Sequence, residues 1–302
     1  MTVTAAFDIG GSKIEYARVG RDGTVSHRAT LPTPHTGWTD FRDAVAALVA
    51  ADGSQATRIG ISIAGTTDSA TGIAAAANVP AVNGHHLENE LSTALGIPVR
   101  VGNDADCFAL AEATVGAGRG MPIVFGAILG TGVGGGLVIG GRMVRGAHGV
   151  TGEWGHGPIV AEAVAARGIP VIRCGCGQTG CLDSYGSARG MERIHVALSG
   201  ETRTSHAITE AWHAGDAAAT RTIETFVELI AGPLSVIVNT IGPSVIPVGG
   251  GLSSDAALLS LIDSAVRDRV LGRYTETLVV PGRTRGASGL IGAAMLAEEL
   301  PA

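Results

Sequence analysis

The chain has 302 residues, 46 of them glycine, is 45% hydrophobic and 16% charged, and carries a formal net charge of −6. That length suggests about two domains. The absence of any basic block argues against a nucleic-acid surface, and four cysteines, three of them clustered, do not make a disulfide scaffold.

"TAAFDIGGSKIEYARVG" (4–20) reads as a β-hairpin turning at Gly10-Gly11, and no secretory signal precedes it, so a cytoplasmic location is expected. "FRDAVAALVAA" has helical spacing, and "RIGISIAG" is a buried strand ending in a turn. "IPVRVGNDADCFALAEATVG" is a strand that stops at Asn103-Asp104 and becomes a helix. "IVFGAILGTGVGGGLVIGG" is a second hairpin with a glycine turn between Gly130 and Gly136. The uncharged stretch Leu229 to Val248 has the length of a membrane span, but Pro233, Asn239, Gly242, Pro243 and Pro247 interrupt it. A buried helix up to about Asn239 and a strand from Ser244 are expected there instead. That strand, "SVIPVGGGLS", ends in glycines before another helix.

Strands and helices alternate nearly throughout, which predicts an α/β protein with largely parallel central strands. Two glycine-turn hairpins, each opening half of the chain, suggest a duplicated architecture. The small, loop-like "GAGRGMP" (116–122) marks the boundary, giving domains 1–117 and 118–287 and a last helix, 288–302, that returns to the first.

Glycines in a hairpin turn let backbone N–H groups approach a phosphate. In "DIGGSK", Gly10 and Gly11 would do so, Asp8 would hold Mg²⁺ through water, and Ser12 and Lys13 offer a hydroxyl and a cation. "GTGVGGG" superficially resembles a dinucleotide fingerprint, but strand rather than helix follows it. It reads better as a second phosphate turn contacted through Thr131 and Gly132. Gly249, Gly250 and Gly251 would admit a nucleotide base or ribose. Asn103-Asp104, at the C-terminal end of a strand, fits either a helix N-cap or a carboxylate base that takes a proton from an attacking hydroxyl. Cys174, Cys176 and Cys181, spaced C-x-C-x₄-C among glycines, supply three soft metal ligands from one tight loop, and His156 in "GEWGH" is the best fourth. Four protein ligands close a zinc site, so the metal is expected to be structural. Cys107 reads as core packing, and His85 and His86 as solvated loop residues.

Together "DIGGSK", "GISIAGTTD", "NVP", "NDADCFALAEA", "ILGTGVGGGL", "GEWGH", "CGCGQTGCLD" and "VGGGLS" resemble the ROK family of sugar kinases, from Asp8 to about Gly292. The resemblance implies a two-domain actin-like, ribonuclease-H-like ATPase fold with a cleft between the domains. It also implies a homodimer and ATP-dependent, Mg²⁺-assisted phosphorylation of a sugar 6-hydroxyl. Asp104 would be the base, Asn103 would bind neighbouring hydroxyls, and Gly65 and Asn78 match sugar-contacting positions. Glu153 would accept from ring hydroxyls, and His156 would bind zinc with one nitrogen while facing the sugar with the other. "AAANVPA" and "RCGCGQTGC" look most like bacterial N-acetylglucosamine kinases, while "LPTP" and "GEWGH" are also similar to fructokinases. Three positions depart from the pattern: Ser12 for threonine, Ala64 for proline, and Asp183, which would bind the sugar, for a glutamate that reaches the sugar's anomeric end.

A fructokinase or glucokinase is the alternative within the class. A repressor of the same family would carry a helix-turn-helix ahead of the phosphate loop, and only seven residues precede Asp8. A sugar-binding protein without catalysis would be expected to lack Asp104 or the loop glycines.

Overall fold

The computed structural model describes residues 4–53, 56–284 and 286–300. In chain order, β1 (Thr4–Ile9), β2 (Lys13–Val19) and β3 (Val25–Pro32) precede α1 (Trp38–Asp52). Then come β4 (Arg58–Ile63), the short β5 (Thr66–Thr67) and β6 (Ala74–Ala75), α2 (Leu87–Leu95), β7 (Val99–Asn103) and α3 (Asp104–Thr114). The next elements are β8 (Ile123–Leu129), β9 (Val133–Ile139), β10 (Arg142–Met143), α4 (Ala161–Ala165), α5 (Ala188–Ser199) and α6 (Ser205–His213). The chain continues with α7 (Ala217–Ile241), β11 (Ile246–Gly249), α8 (Ala256–Arg267), β12 (Val279–Pro281) and α9 (Ser288–Ala297). It divides into two compact units. The first comprises Met1–Met121, Gly136–Gly152 and Arg283–Ala302, and the second Pro122–Gly135 and Glu153–Gly282.

One five-stranded sheet has the order β3-β2-β1-β4-β7, antiparallel through the β1–β2–β3 meander and parallel from β1 to β4 to β7. A second has the order β10-β9-β8-β11-β12, parallel from β8 to β11 to β12. The two sheets therefore share one topology, as the repeated hairpin pattern suggested.

In the first unit the period of two along each strand decides what lies on either face. Phe7, Ile9, Ile59, Ile61 and Ile63 point into a core with Phe41, Val45 and Leu48 of α1 and Leu87 and Leu91 of α2. The alternate residues face α3 and α9, where Ala6 and Ala17 pack with Cys107, Ala111, Ala293 and Ala294. That face has to be smooth. A Cβ on Gly60 would lie 1.8 Å from the Ala293 carbonyl oxygen, and one on Gly292 would lie 1.9 Å from that of Cys107. Cys107 is thus core, as expected.

In the second unit α5, α6 and α8 pack against α7, and α8 also covers β12. Among the described residues α7 alone is long and apolar enough to cross a membrane by length and composition. Its Ile223, Phe226, Ile230, Leu234 and Val238 are buried in this unit. The helix runs through Pro233 and ends two residues beyond Asn239, close to the expected end, on left-handed Gly242. Tertiary packing of the apolar face outweighs the local cost of one proline. Ser187, Thr204, Asp216 and Asp255 cap α5, α6, α7 and α8 through side-chain oxygens.

Candidate functional site

The first glycine turn folds as expected: the Gly10 amide donates to the Lys13 carbonyl at 3.0 Å, and Thr33 Oγ1 donates to the Gly10 carbonyl at 2.6 Å. Asp8, at the end of β1, accepts from Ser62 Oγ at 2.9 Å. Burial pushes its carboxyl above the ordinary value, against the opposing effect of that hydrogen bond. Gly289 of α9 leaves room for this carboxylate, since a Cβ there would sit 2.4 Å from Asp8 Cγ. Lys13 does not extend from the turn alone. Its Nζ pairs with Glu15 at 2.7 Å, and the pair lies on one face of β2.

The sugar-contacting candidates of the first unit converge. A Cβ on Gly11 would meet the Asn78 carbonyl oxygen at 2.9 Å, so the Gly10-Gly11 turn lies against Asn78. Asn103 Nδ2 donates to the Gly65 carbonyl at 2.9 Å, and its Oδ1 accepts from the Ala105 amide at 2.8 Å. Asn103 is the N-cap of α3. Of the two roles read for Asn103-Asp104, the cap falls on Asn103. Asp104 opens the helix with its side chain exposed, and its Oδ1 is 3.0 Å from the same Ala105 amide.

In the second unit, one ligand atom each from His156, Cys174, Cys176 and Cys181 lies within 4.8 Å of the others. Cys176 Sγ and Cys181 Sγ are 3.5 Å apart, and Cys174 Sγ is 3.7 Å from His156 Nδ1. A tetrahedron with Zn–S bonds of about 2.3 Å has edges of roughly 3.8 Å, so the donors fit zinc in number, softness and spacing. A backbone amide hydrogen bond at Gln178 lowers the Cys176 thiol to about 7, whereas burial pushes Cys181 up to about 12. With Nδ1 turned to the thiols, His156 Nε2 is 3.6 Å from Glu153 Oε2. The second nitrogen thus points at another sugar-site candidate.

The second glycine turn is joined to this loop. Asp183 Oδ1 accepts from the Val133 amide at 2.8 Å, and Trp154 Nε1 donates to the Gly134 carbonyl at 2.7 Å. The third glycine cluster is adjacent, because a Cβ on Gly250 would lie 2.4 Å from the Leu129 carbonyl oxygen. Thr131, Gly132, Gly249, Gly250 and Gly251 are therefore one neighbourhood. A short 3₁₀ turn, Gly251–Ser254, separates the last cluster from α8.

Ser62, Trp154 and Glu112 were missed in the sequence. Ser62 carried a signal, being a polar residue in the otherwise apolar "RIGISI". His85 is also not simply a solvated loop residue: it stacks on Trp38 at 4.4 Å and pairs with Glu90 at 3.0 Å. His86 is exposed, as expected.

Residues 4–300 match the ROK family. The chain belongs to the ROK family. It is 37% identical over 295 residues to an N-acetyl-D-glucosamine kinase of Salmonella paratyphi C, covering 96% of this chain and 97% of that one. Its fold is similar to that of a ROK hexokinase from Thermus thermophilus, with a TM-score of 0.85, 28% identity and 98% of both chains covered. A ROK glucokinase from Streptomyces griseus, solved with glucose and AMPPNP, gives a TM-score of 0.77 at 30% identity, covering 99% of this chain and all of that one. The two sheets of like topology are accordingly those of the two-domain actin-like fold.

Proposed function

We propose that this ROK protein is an ATP-dependent kinase that phosphorylates the 6-hydroxyl of N-acetyl-D-glucosamine. Its near full-length similarity to N-acetyl-D-glucosamine kinases at 37% identity carries the choice of sugar. Support for the chemistry comes from Asp104. It is exposed at the first position of α3, next to the N-cap Asn103, and its carboxylate would take the hydroxyl proton as the oxygen attacks the γ-phosphorus.

In the first unit, Asn103, Asn78 and Gly65 would hold sugar hydroxyls. Asp8, Gly10, Gly11, Ser12 and Lys13 would attend the phosphates, with Mg²⁺ neutralising charge between them. In the second unit, Glu153 and His156 would bind the sugar, while Thr131, Gly132, Gly249, Gly250 and Gly251 would receive the nucleotide. His156, Cys174, Cys176 and Cys181 would hold a structural zinc, which organises the loop and takes no part in phosphoryl transfer. The protein would act in the cytoplasm as a homodimer, without nucleic acid or membrane as partner.

A site built to pair with an acetamido donor and acceptor rejects sugars that lack them. A coupled ADP-release assay over a sugar panel tests the reading. N-acetylglucosamine should exceed glucose, fructose and N-acetylmannosamine by at least about tenfold in kcat/KM. Glucose or fructose as the better substrate would replace the sugar assignment. No sugar-dependent ADP release with any of them would remove the kinase.

A further inference from the structure

We propose that Asp183 is a positioning residue that transmits the order of the cysteine loop to the Gly130–Gly135 turn. The relevance of this to ATP rests on the kinase reading above. Asp183 lies two residues beyond Cys181, in the 3₁₀ turn Leu182–Ser184, and both Cys181 and Leu182 are fully buried. Its backbone amide donates to the Gly155 carbonyl at 2.8 Å, which ties it to the segment carrying Glu153 and His156. Its carboxylate lies between the two elements, with Oδ2 3.7 Å from Cys174 Sγ and Oδ1 accepting from the Val133 amide at 2.8 Å. Gly132 is shaped around that oxygen, since a Cβ there would lie 2.7 Å from it.

The turn is fixed from the same neighbourhood at two more points. Trp154, between Glu153 and Gly155, donates to the Gly134 carbonyl at 2.7 Å, and the Ala188 amide donates to the Gly130 carbonyl at 2.8 Å. A Cβ on Gly155 would meet the Val133 carbonyl oxygen at 2.5 Å, so backbone lies directly on backbone. A charge-assisted hydrogen bond to a backbone amide orients the whole peptide plane. Asp183 therefore fixes the Gly132–Val133 peptide plane, which directly follows the Thr131 and Gly132 amides.

The experiment uses the full chain and reads amide hydrogen exchange at Val133 together with the KM for ATP and for sugar. In Asp183→Ala, protection at Val133 should fall about tenfold, and the KM for ATP should rise about fivefold or more while that for sugar changes less than about twofold. Asp183→Asn keeps an acceptor oxygen and should retain both the protection and the KM for ATP. Removing metal from the parent protein with a chelator should lower Val133 protection as Asp183→Ala does. A rise in the sugar KM alone, with Val133 exchange unchanged, would make Asp183 a sugar ligand and overturn the proposal. So would undiminished protection after metal removal, or equal loss in Asp183→Ala and Asp183→Asn. The exchange measurements need no turnover, so they decide the structural claim even if no sugar in the panel is phosphorylated.

Discussion

With Asp104 as the proposed base, Asp104→Asn separates catalysis from folding, because Asn103 and not Asp104 is the N-cap of α3. The Ala105 amide keeps its 2.8 Å bond to Asn103 Oδ1, and Asp106 leaves a carboxylate in the first turn of α3. What the helix loses is one exposed charge at its N-terminus, worth about 0.3–1 kcal/mol. On the proposed reading the reaction loses its base, worth about 10²- to 10⁴-fold in kcat, or roughly 3–5 kcal/mol at about 1.4 kcal/mol per decade. Asn103→Ala is the counterpart. It removes the cap, at a cost of about 1 kcal/mol, and the tie to the Gly65 carbonyl as well. The assay combines steady-state kcat, sugar binding by calorimetry and urea denaturation of both variants. Asp104→Asn should bind sugar, unfold within about 1 kcal/mol of the parent and turn over at least about a hundredfold more slowly. Turnover within a few-fold of the parent, or a stability loss as large as that of Asn103→Ala with no kinetic effect, would refute the reasoning.

Cys176→Ser should bring zinc below one equivalent per chain by elemental analysis and lower the melting temperature in parallel. Zinc at full stoichiometry in the variant would contradict the ligand set. Asp8→Asn should stabilise the protein while impairing activity. Folding raises the Asp8 pKa above 3.8, so the folded state binds its proton more tightly, and stability falls as pH rises from the unfolded pKa through the folded one. The stability gap between Asp8→Asn and the parent should therefore widen over that interval in pH-dependent denaturation, and a gap that closes with rising pH would contradict the sign. Glu112 is fully buried and accepts from the Arg283 amide at 2.8 Å, the Thr284 amide at 2.7 Å, Thr284 Oγ1 at 2.6 Å and the Ala117 amide at 2.8 Å. Glu112→Ala strips several buried donors at about 1–3 kcal/mol each and should cost at least about 4 kcal/mol, with Glu112→Gln milder; equal, small losses in urea denaturation would count against this.

The pieces legible in the sequence were those whose chemistry is local. A glycine turn between two alternating runs, an Asn-Asp pair where a strand becomes a helix, and three cysteines in one loop each announce themselves within a few residues. The destinations of side chains were less legible, because partners come from distant segments. Asp183 is 50 residues from the amide it holds, and Glu112 is 172 from Thr284. Lys13 shows the intermediate case. Its pairing with Glu15, two residues along one strand, follows from the period of the pleat and could have been foreseen. α7 passes through Pro233 for a reason no local rule contains, namely the apolar face it buries against neighbouring helices.

The glycines and alanines of α9 have a consequence for biosynthesis. Leu290, Ile291, Ala293 and Ala294 fill the same buried cluster as Ala6, Ala17 and Cys107, so the innermost face of the first unit is closed by residues translated nearly three hundred positions after its first strand. On the ribosome, β1, β4 and α3 emerge with an uncovered, flat, small-residue surface and must wait for α9 while the whole intervening stretch is made. Such a surface is a target for holding chaperones and for mispairing with other nascent chains. The order of synthesis thus makes the first unit, although it leads the sequence, the last part of the molecule able to reach its native state.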